Sequence, residues 1–504
     1  MNRKCFLKSV VLLISVMSLV GCAEREIQSS TCIAKQPNII FILSDDVGTG
    51  DIKCYYEPSK VKTPNIDKLA TQGMRFNQAY APCAVCGPSR YALMSGSYPC
   101  RNPLTRTQPG QRSPLVIGPD DVSLSSFLKG MGYNTAHVGK WHLGYGPEGG
   151  IKNWAGDLSP GSKDIGFDYH LGLPTNHSDG FKTYVENNRL LWLKPEVTEL
   201  RGRPTKEQLT QVRLDDEVDS TVTAKAIKFI KENREEPFFV YLCLCATHTH
   251  ITPHEKFRGT SEIGLYGDYV HELDFHVGEI METLEELNLA DNTILVFSSD
   301  NGGQKSDPGG AGENLNLRSD SHNIVELSKT AKEDTRVKYG HRVNGDLHGY
   351  KGQIYEGGIR VPLIIRWPEK IAEGSESDHF VTLTDILATT AGILGEKLPE
   401  SAGVDSYDFS PILFGENIQS SVRRTGIFQT GRGIFAIRED NWKLCMTTRP
   451  TWNGNELVLP ESEFELYNLS DDPYETRDLF QQHHERAMQL RQLLLDLVER
   501  GRSL

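Results

Sequence analysis

The sequence predicts an α/β fold, with a large, mostly parallel sheet flanked by helices and a smaller C-terminal α+β part. Three observations carry this expectation. Apolar, β-branched runs recur along the chain and each ends in polar groups, as strands buried on both sheet faces do. Helical patterns separate them, which favours crossovers and parallel pairing. Past about residue 405 the texture changes to short strands around turns and one amphipathic helix.

At the N-terminus, Lys4 and Lys8 precede "VVLLISVMSLVGC", an apolar run too short to span a bilayer, so residues 1–21 read as a targeting segment outside the fold. Its end, Leu19-Val20-Gly21-Cys22, resembles a bacterial lipobox. That resemblance implies export and a lipid anchor at Cys22, periplasmic or cell-surface, as the sole membrane contact. A plain secretory signal would also export the chain. Residues 22–36 then form a linker, residues 37–404 the main domain and residues 405–504 a C-terminal α+β subdomain.

Within the main domain, "PNIIFILSDD" ends at Asp45 and Asp46, "PFFVYLCLCATHTH" at His248 and His250, and "NTILVFSSDNGG" at Asp300 and Asn301. Helical patterns such as "SLSSFLKGMGY" and "YVHELDFHVGEIMETLEELNLA" lie between. Parallel sheets bind ligands beyond the carboxyl ends of their strands, where those polar groups fall. Residues 303–346, rich in Gly, Asn, Asp and Ser, form a long insertion of the kind that carries function. In the last hundred residues, "GIFAIREDNWKLCM" and "EFELYNLS" read as strands, and "HHERAMQLRQLLLDLVERG" as the helix.

Composition narrows the function. Apolar and charged contents of 38% and 24% are ordinary for a soluble globular chain of 504 residues. A net charge of −13 gives no basic field for nucleic acid, so an anionic substrate must be met by a local positive site. The ten cysteines have no compact disulfide spacing, and the C-x-x-C of Cys83 and Cys86 has no second pair to complete a zinc site.

Local positive sites are visible. In "CGPSRYALMSG", Pro88 to Ser95 reads as a short helix stopped by Gly96, with Cys86 just ahead of its N-terminus and Arg90 one turn in. The helix dipole and the guanidinium both favour a tetrahedral oxyanion beside residue 86. Asp45, Asp46, Asp300 and Asn301 offer only oxygen ligands, which suit calcium or magnesium; either pair alone would equally serve as turn caps. Lys140 and His142, two apart in "GYNTAHVGKWHLG", can face one cavity. His248 in "ATHTH" and Lys351 in "GYKGQIYEGGIRVP" stand beside glycines or strand ends. Taken singly, Lys140 and His142 are more often solvated surface groups, His248 can be read as a satisfied loop histidine, and no one of these residues is decisive.

Together, the motif C-x-P-S-R-x-x-L-x-S-G, "GYNTAHVGKWHLG", the "SDD" and "SDNGG" strand ends and "YKGQIYEGGIRVP" closely resemble the type I sulfatase family of the alkaline-phosphatase-like superfamily. The resemblance runs from Pro37 to "FELYNLSDDPYETRDL". It implies that Cys86 is converted to formylglycine, by a formylglycine-generating enzyme, and that the hydrated aldehyde is the nucleophile. It implies a calcium ion held by Asp45, Asp46, Asp300, Asn301 and residue 86. By the same pattern Arg90, Lys140 and Lys351 bind the sulfate, His142 takes the proton that lets sulfate leave, and His248 protonates the leaving alcohol. Asn176, in "GLPTNHSDG", falls loosely where the family carries Ser or Asn near the sulfate.

The expected substrate is a sulfated sugar of an extracellular polysaccharide, attacked at a chain end. In the insertion, Arg336, Lys338, His341 and Arg342 form a candidate basic wall for it. His348 and the stretch "IFQTGRGIFAIR" depart from the family pattern near the expected mouth and bear on leaving-group specificity. Two alternatives are a phosphonate or phosphodiester hydrolase of the same superfamily and a catalytically silent glycan-binding lipoprotein.

Overall fold

Every residue of the strand Asn38–Ser44 is buried, and its side chains divide between two layers. Ile39, Phe41 and Leu43 pack in one core with Leu93, Leu128 and Leu387. Ile40 and Ile42 pack in a second core with Leu69, Val222 and Val277. Burying each such side chain is worth about 1.5–3 kcal/mol, so a strand covered on both faces selects an unbroken apolar run. The same holds for Phe238–Cys243 and Thr293–Ser299, also buried throughout.

The computed structural model describes residues 36–304, 340–416 and 422–504. The expected targeting segment, Cys22, Arg336 and Lys338 lie outside the described residues. Among the described residues no helix is long and apolar enough to cross a membrane.

The central sheet has ten strands. Its middle is parallel: Thr293–Ser299 pairs with Asn38–Ser44, which pairs with Phe238–Cys243, then Asn134–Lys140, then Tyr169–Leu173. Leu363–Arg366 adds antiparallel beyond Thr293–Ser299. Helices Pro64–Thr71, Val218–Glu232 and Leu265–Glu286 supply the second core, and Cys86–Ser95, Leu124–Gly130 and Ile386–Ile393 the first. The expected α/β class is therefore the observed one, and the polar strand ends share one edge.

Past residue 405, Thr425–Gln429, Phe435–Glu439, Trp442–Met446 and Phe464–Asn468 form an antiparallel four-stranded sheet. The helix His484–Arg500 covers it with Ala487, Leu490, Leu494 and Leu497, the helical spacing read in the sequence. A buried polar network fastens this sheet to the main body. Lys443 donates to Glu356 at 2.9 Å and to Glu475 at 2.7 Å, and Tyr80 donates to Glu356 at 2.7 Å. Burial opposes the charge on Lys443, but the Glu356 and Glu475 carboxylates raise its proton affinity more. Removing the cation strands two buried carboxylates, so Lys443→Met should cost about 3–5 kcal/mol. A urea midpoint unchanged from that of the wild type would refute this fastening role.

Candidate active site

The parallel register fixes the first part of the site. Ser44 lies opposite Ser299, so the next residues, Asp45 and Asp46 on one strand and Asp300 and Asn301 on its neighbour, emerge side by side. All four are buried. Asp46 turns into the left-handed region at φ 63°, a conformation a non-glycine residue adopts at a cost of order 1 kcal/mol or more.

The helix Cys86–Ser95 delivers the second part. It starts two residues earlier than expected. Val85, extended at φ −146° and ψ 154°, is the N-cap, and Cys86 is the first helical residue. Pro88 is tolerated in the first turn because N–H groups there have no intrahelical acceptor. Gly96, at φ 65°, ends the helix as expected. The Cys86 Sγ lies 3.5 Å from Asp45 Oδ1. Arg90, fully buried, donates from Nε at 2.9 Å and from a terminal nitrogen at 2.7 Å to Asp300 Oδ2, and to the carbonyl of Lys140 at 3.0 Å.

Lys140 is the last residue of its strand. Gly139 before it sits at φ 113°, and a Cβ there would lie 1.9 Å from the Cys243 carbonyl, so only glycine lets the strand ends come this close. Lys140 Nζ reaches Asp45 Oδ2 at 2.5 Å, and Lys351 Nζ reaches Asp46 Oδ2 at 2.6 Å. Three carboxylates thus face three cations. His142, at φ 58°, turns its Nε2 to within 3.1 Å of the Pro109 carbonyl and 3.0 Å of Gln108 Nε2. His248, partly buried, packs with its ring 6.2 Å from that of His177, edge to face.

The set can hold a metal ion. One ligand atom each from Asp45, Asp46, Cys86 and Asp300 lies within 4.8 Å of the others. Asn301 donates its amide nitrogen to Asp46 at 2.9 Å, which leaves its Oδ1 buried with no hydrogen-bond partner, an acceptor awaiting a positive centre. Burial and the Asp45 charge push the Asp300 carboxyl up to about 6, although Arg90 and Lys140 oppose this. A divalent cation would relieve both, and an oxygen donor set suits a hard one.

The electrostatics of the two histidines agree with each other. Burial, then Lys140 and Arg90, hold the His142 ring neutral; burial, then Lys351 and Lys140, do the same for His248. The Cys86 thiol is pushed up chiefly by burial and then by Asp300, so it is not a thiolate nucleophile as encoded.

Ten of the expected groups therefore meet at one strand edge: Asp45, Asp46, Cys86, Arg90, Lys140, His142, His248, Asp300, Asn301 and Lys351. Asn176 stands in the chain beside His177, and its Oδ1 is buried without a partner. The basic wall does not hold for His341, which is buried and hydrogen-bonded at 2.8 Å to Asp51, nor for Arg342, whose exposed guanidinium pairs with Asp346. Both are engaged by acidic neighbours within reach in the fold. Cys83 and Cys86 are both free thiols. The two departures are located as well. His348 stacks on Tyr355 at 4.1 Å, and Gln429 and Gly431 of "IFQTGRGIFAIR" border Cys83 and Val85 at the start of the helix Cys86–Ser95. Gln108, which accepts from the Gly87 N–H at 3.3 Å besides contacting His142, carried no sequence signal, since only the fold brings its loop here.

Comparison with known proteins agrees with this geometry. Residues 37–396 match the Sulfatase family, and residues 347–500 match the N-sulphoglucosamine sulphohydrolase C-terminal family. The chain belongs to the type I sulfatase family, of alkaline-phosphatase-like fold. It is a sulfuric ester hydrolase. An N-acetylgalactosamine-6-O-sulfatase of Bacteroides thetaiotaomicron is 35% identical over 96% of this chain and 97% of its own. Human arylsulfatase A is 30% identical over 89% of this chain and 84% of its own. A solved structure from a study of glycosaminoglycan metabolism by Bacteroides thetaiotaomicron superposes with a TM-score of 0.78 at 33% identity, covering 92% of this chain and all of that one.

Proposed function

We propose that this sulfatase removes a sulfate ester from a sugar of an extracellular glycosaminoglycan, with N-acetylgalactosamine 6-sulfate as the favoured unit. The reading rests on one observation above others: a buried residue 86 at a helix N-terminus with Arg90, Lys140 and Lys351 gathered around it. The sugar comes from the bacterial relative at 35% identity over nearly the whole chain, which is named for that activity. The relatives named above are sulfatases, which supports sulfate over phosphonate or phosphodiester esters.

Cys86 is proposed to act as formylglycine. A thiol, once sulfated, would leave a thiosulfate that water cleaves slowly; a hydrated aldehyde supplies one hydroxyl to attack sulfur and a second whose deprotonation expels sulfate. Calcium, held by Asp45, Asp46, Asp300, Asn301 and residue 86, would supply Lewis acidity and lower the cost of an anionic oxygen there. The three site cations and three carboxylates cancel, so a divalent ion leaves the site positive for the ester. Arg90, Lys140 and Lys351 steady the charge on the equatorial oxygens. His142, neutral in the buried site, has ring nitrogen capacity to take the proton of the second hydroxyl. His248 must be protonated to serve the leaving oxygen. In the free site burial and then the neighbouring cations oppose this, and the bound sulfate ester supplies the negative charge that raises its proton affinity. Asn176, with its unpartnered Oδ1, is assigned to the sulfate or sugar hydroxyls. Export and a lipid anchor at Cys22 would bring the site to polymers outside the cell, with an exo-acting pocket suited to a chain of net charge −13.

Leaving-group protonation matters most when the leaving group is poor. His248→Ala should therefore lower kcat on N-acetylgalactosamine 6-sulfate by about 10²-fold or more and on an activated aryl sulfate by about tenfold or less. Equal losses on the two esters would move His248 to sulfate binding.

A further inference from the structure

A second site of positive charge lies on the flank of the active site. Arg112, Lys152 and Arg201 line an open cleft of about 570 Å³, with Glu199 as its one acidic neighbour. All three cations are exposed, and none has a carboxylate or hydrogen-bond partner among the described residues. In a chain of net charge −13, where the exposed Arg424 and Arg342 pair with acids, three cations gathered around one cleft without such partners form a local positive patch able to meet an anion.

The cleft is built, and three segments hold it in shape. Asn153 Oδ1 accepts from the Leu200 N–H at 2.8 Å and its amide donates to the Thr198 carbonyl at 3.0 Å, while the Trp154 N–H donates to the Leu200 carbonyl at 2.7 Å. Gly150, at φ 74°, passes so close to Arg112 that a Cβ would lie 2.1 Å from its carbonyl oxygen. The Arg112 loop also reaches the reaction centre. Pro109 accepts from His142, and Gln111 donates to Thr175, next to Asn176, at 3.5 Å. Three peptide steps from Pro109 to Arg112 span at most about 11 Å. An oligosaccharide with its sulfated end in the site can extend to the cleft.

We infer that this cleft is a subsite for the anionic group, a carboxylate or a second sulfate ester, on the sugar next to the one being desulfated. The inference rests on the glycan reading above. Arg112 and Arg201 offer the fork that matches either group, and Lys152 a point charge.

The test compares four substrates on the wild type and on Arg112→Ala/Arg201→Ala: an aryl sulfate, N-acetylgalactosamine 6-sulfate alone, and disaccharides joining that sugar to a neutral hexose or to a uronate. A fifth, with the hexose sulfated, separates the sulfate source from the carboxylate. The wild type should prefer an anionic to the neutral disaccharide in kcat/KM by roughly fivefold to tenfold, the worth of two or three exposed charge contacts. The double variant should lose that preference and keep its rates on the aryl sulfate, the monosaccharide and the neutral disaccharide. Arg112→Glu/Arg201→Glu should invert it. A wild type without preference, or a double variant that keeps it, overturns the subsite. Turnover of aryl sulfate with none of any sugar sulfate overturns the glycan reading itself, and the subsite with it.

Discussion

Cys86→Ala is expected to reduce sulfate ester turnover by about 10⁴-fold or more while leaving the protein folded. The loss is large because the whole displacement passes through residue 86, and removing a nucleophile typically leaves only the residual rate that binding and charge stabilisation supply. The fold should tolerate the change because Cys86 is small and the one hydrogen bond its Sγ makes among the described residues is weak, 3.5 Å to Asp45. Cys86→Ser is the sharper variant. One hydroxyl can accept a sulfuryl group but has no second hydroxyl to expel it, so we expect a burst of about one equivalent of alcohol and then a stalled enzyme. Steady turnover by either variant would show that residue 86 is not the nucleophile.

Removal of the metal is expected to be nearly as damaging. Lys140, Lys351 and Arg90 lie within ion-pair distance of the three carboxylates, so without a divalent charge to engage the aspartates these cations would be drawn onto them while the fold is kept. Those pairs compete directly with the sulfate ester for the same charges. Exhaustive chelation should lower activity by about 10²- to 10³-fold, the size of losing a main electrostatic stabiliser, and calcium should restore it. Thermal stability should fall far less than activity. Full activity in protein shown to be metal-free by elemental analysis would remove calcium from the account.

Much of this was visible in the sequence, because two-sided burial writes strands as unbroken apolar runs and parallel pairing sends their polar ends to one edge. Asp45, Asp46, Asp300 and Asn301 could be paired from that logic alone, and the register of Ser44 against Ser299 bears it out. What could not be read was set by loops. The helix Cys86–Ser95 begins at Cys86 rather than Pro88 because Val85, its N-cap, stays extended, and periodicity does not report that. Gln108 reaches His142 only after the loop from Arg106 to Ser113 has folded back over the helix start. His341 looked like part of a basic surface, but Asp51, 290 positions away in the chain, draws it into the core. The left-handed conformations of Asp46 and His142 likewise have no sequence signature. They occur where the surrounding fold overrides local preference, at the site itself.

The central claim is that residue 86 acts as formylglycine. Mass spectrometry of the tryptic peptide from Phe76 to Arg90, on protein made in a host with the modifying enzyme, tests it most directly when read beside specific activity. The account predicts that the aldehyde form of residue 86 is present and that activity rises in proportion to its fraction across preparations. A fully active preparation containing only cysteine at position 86 would contradict it.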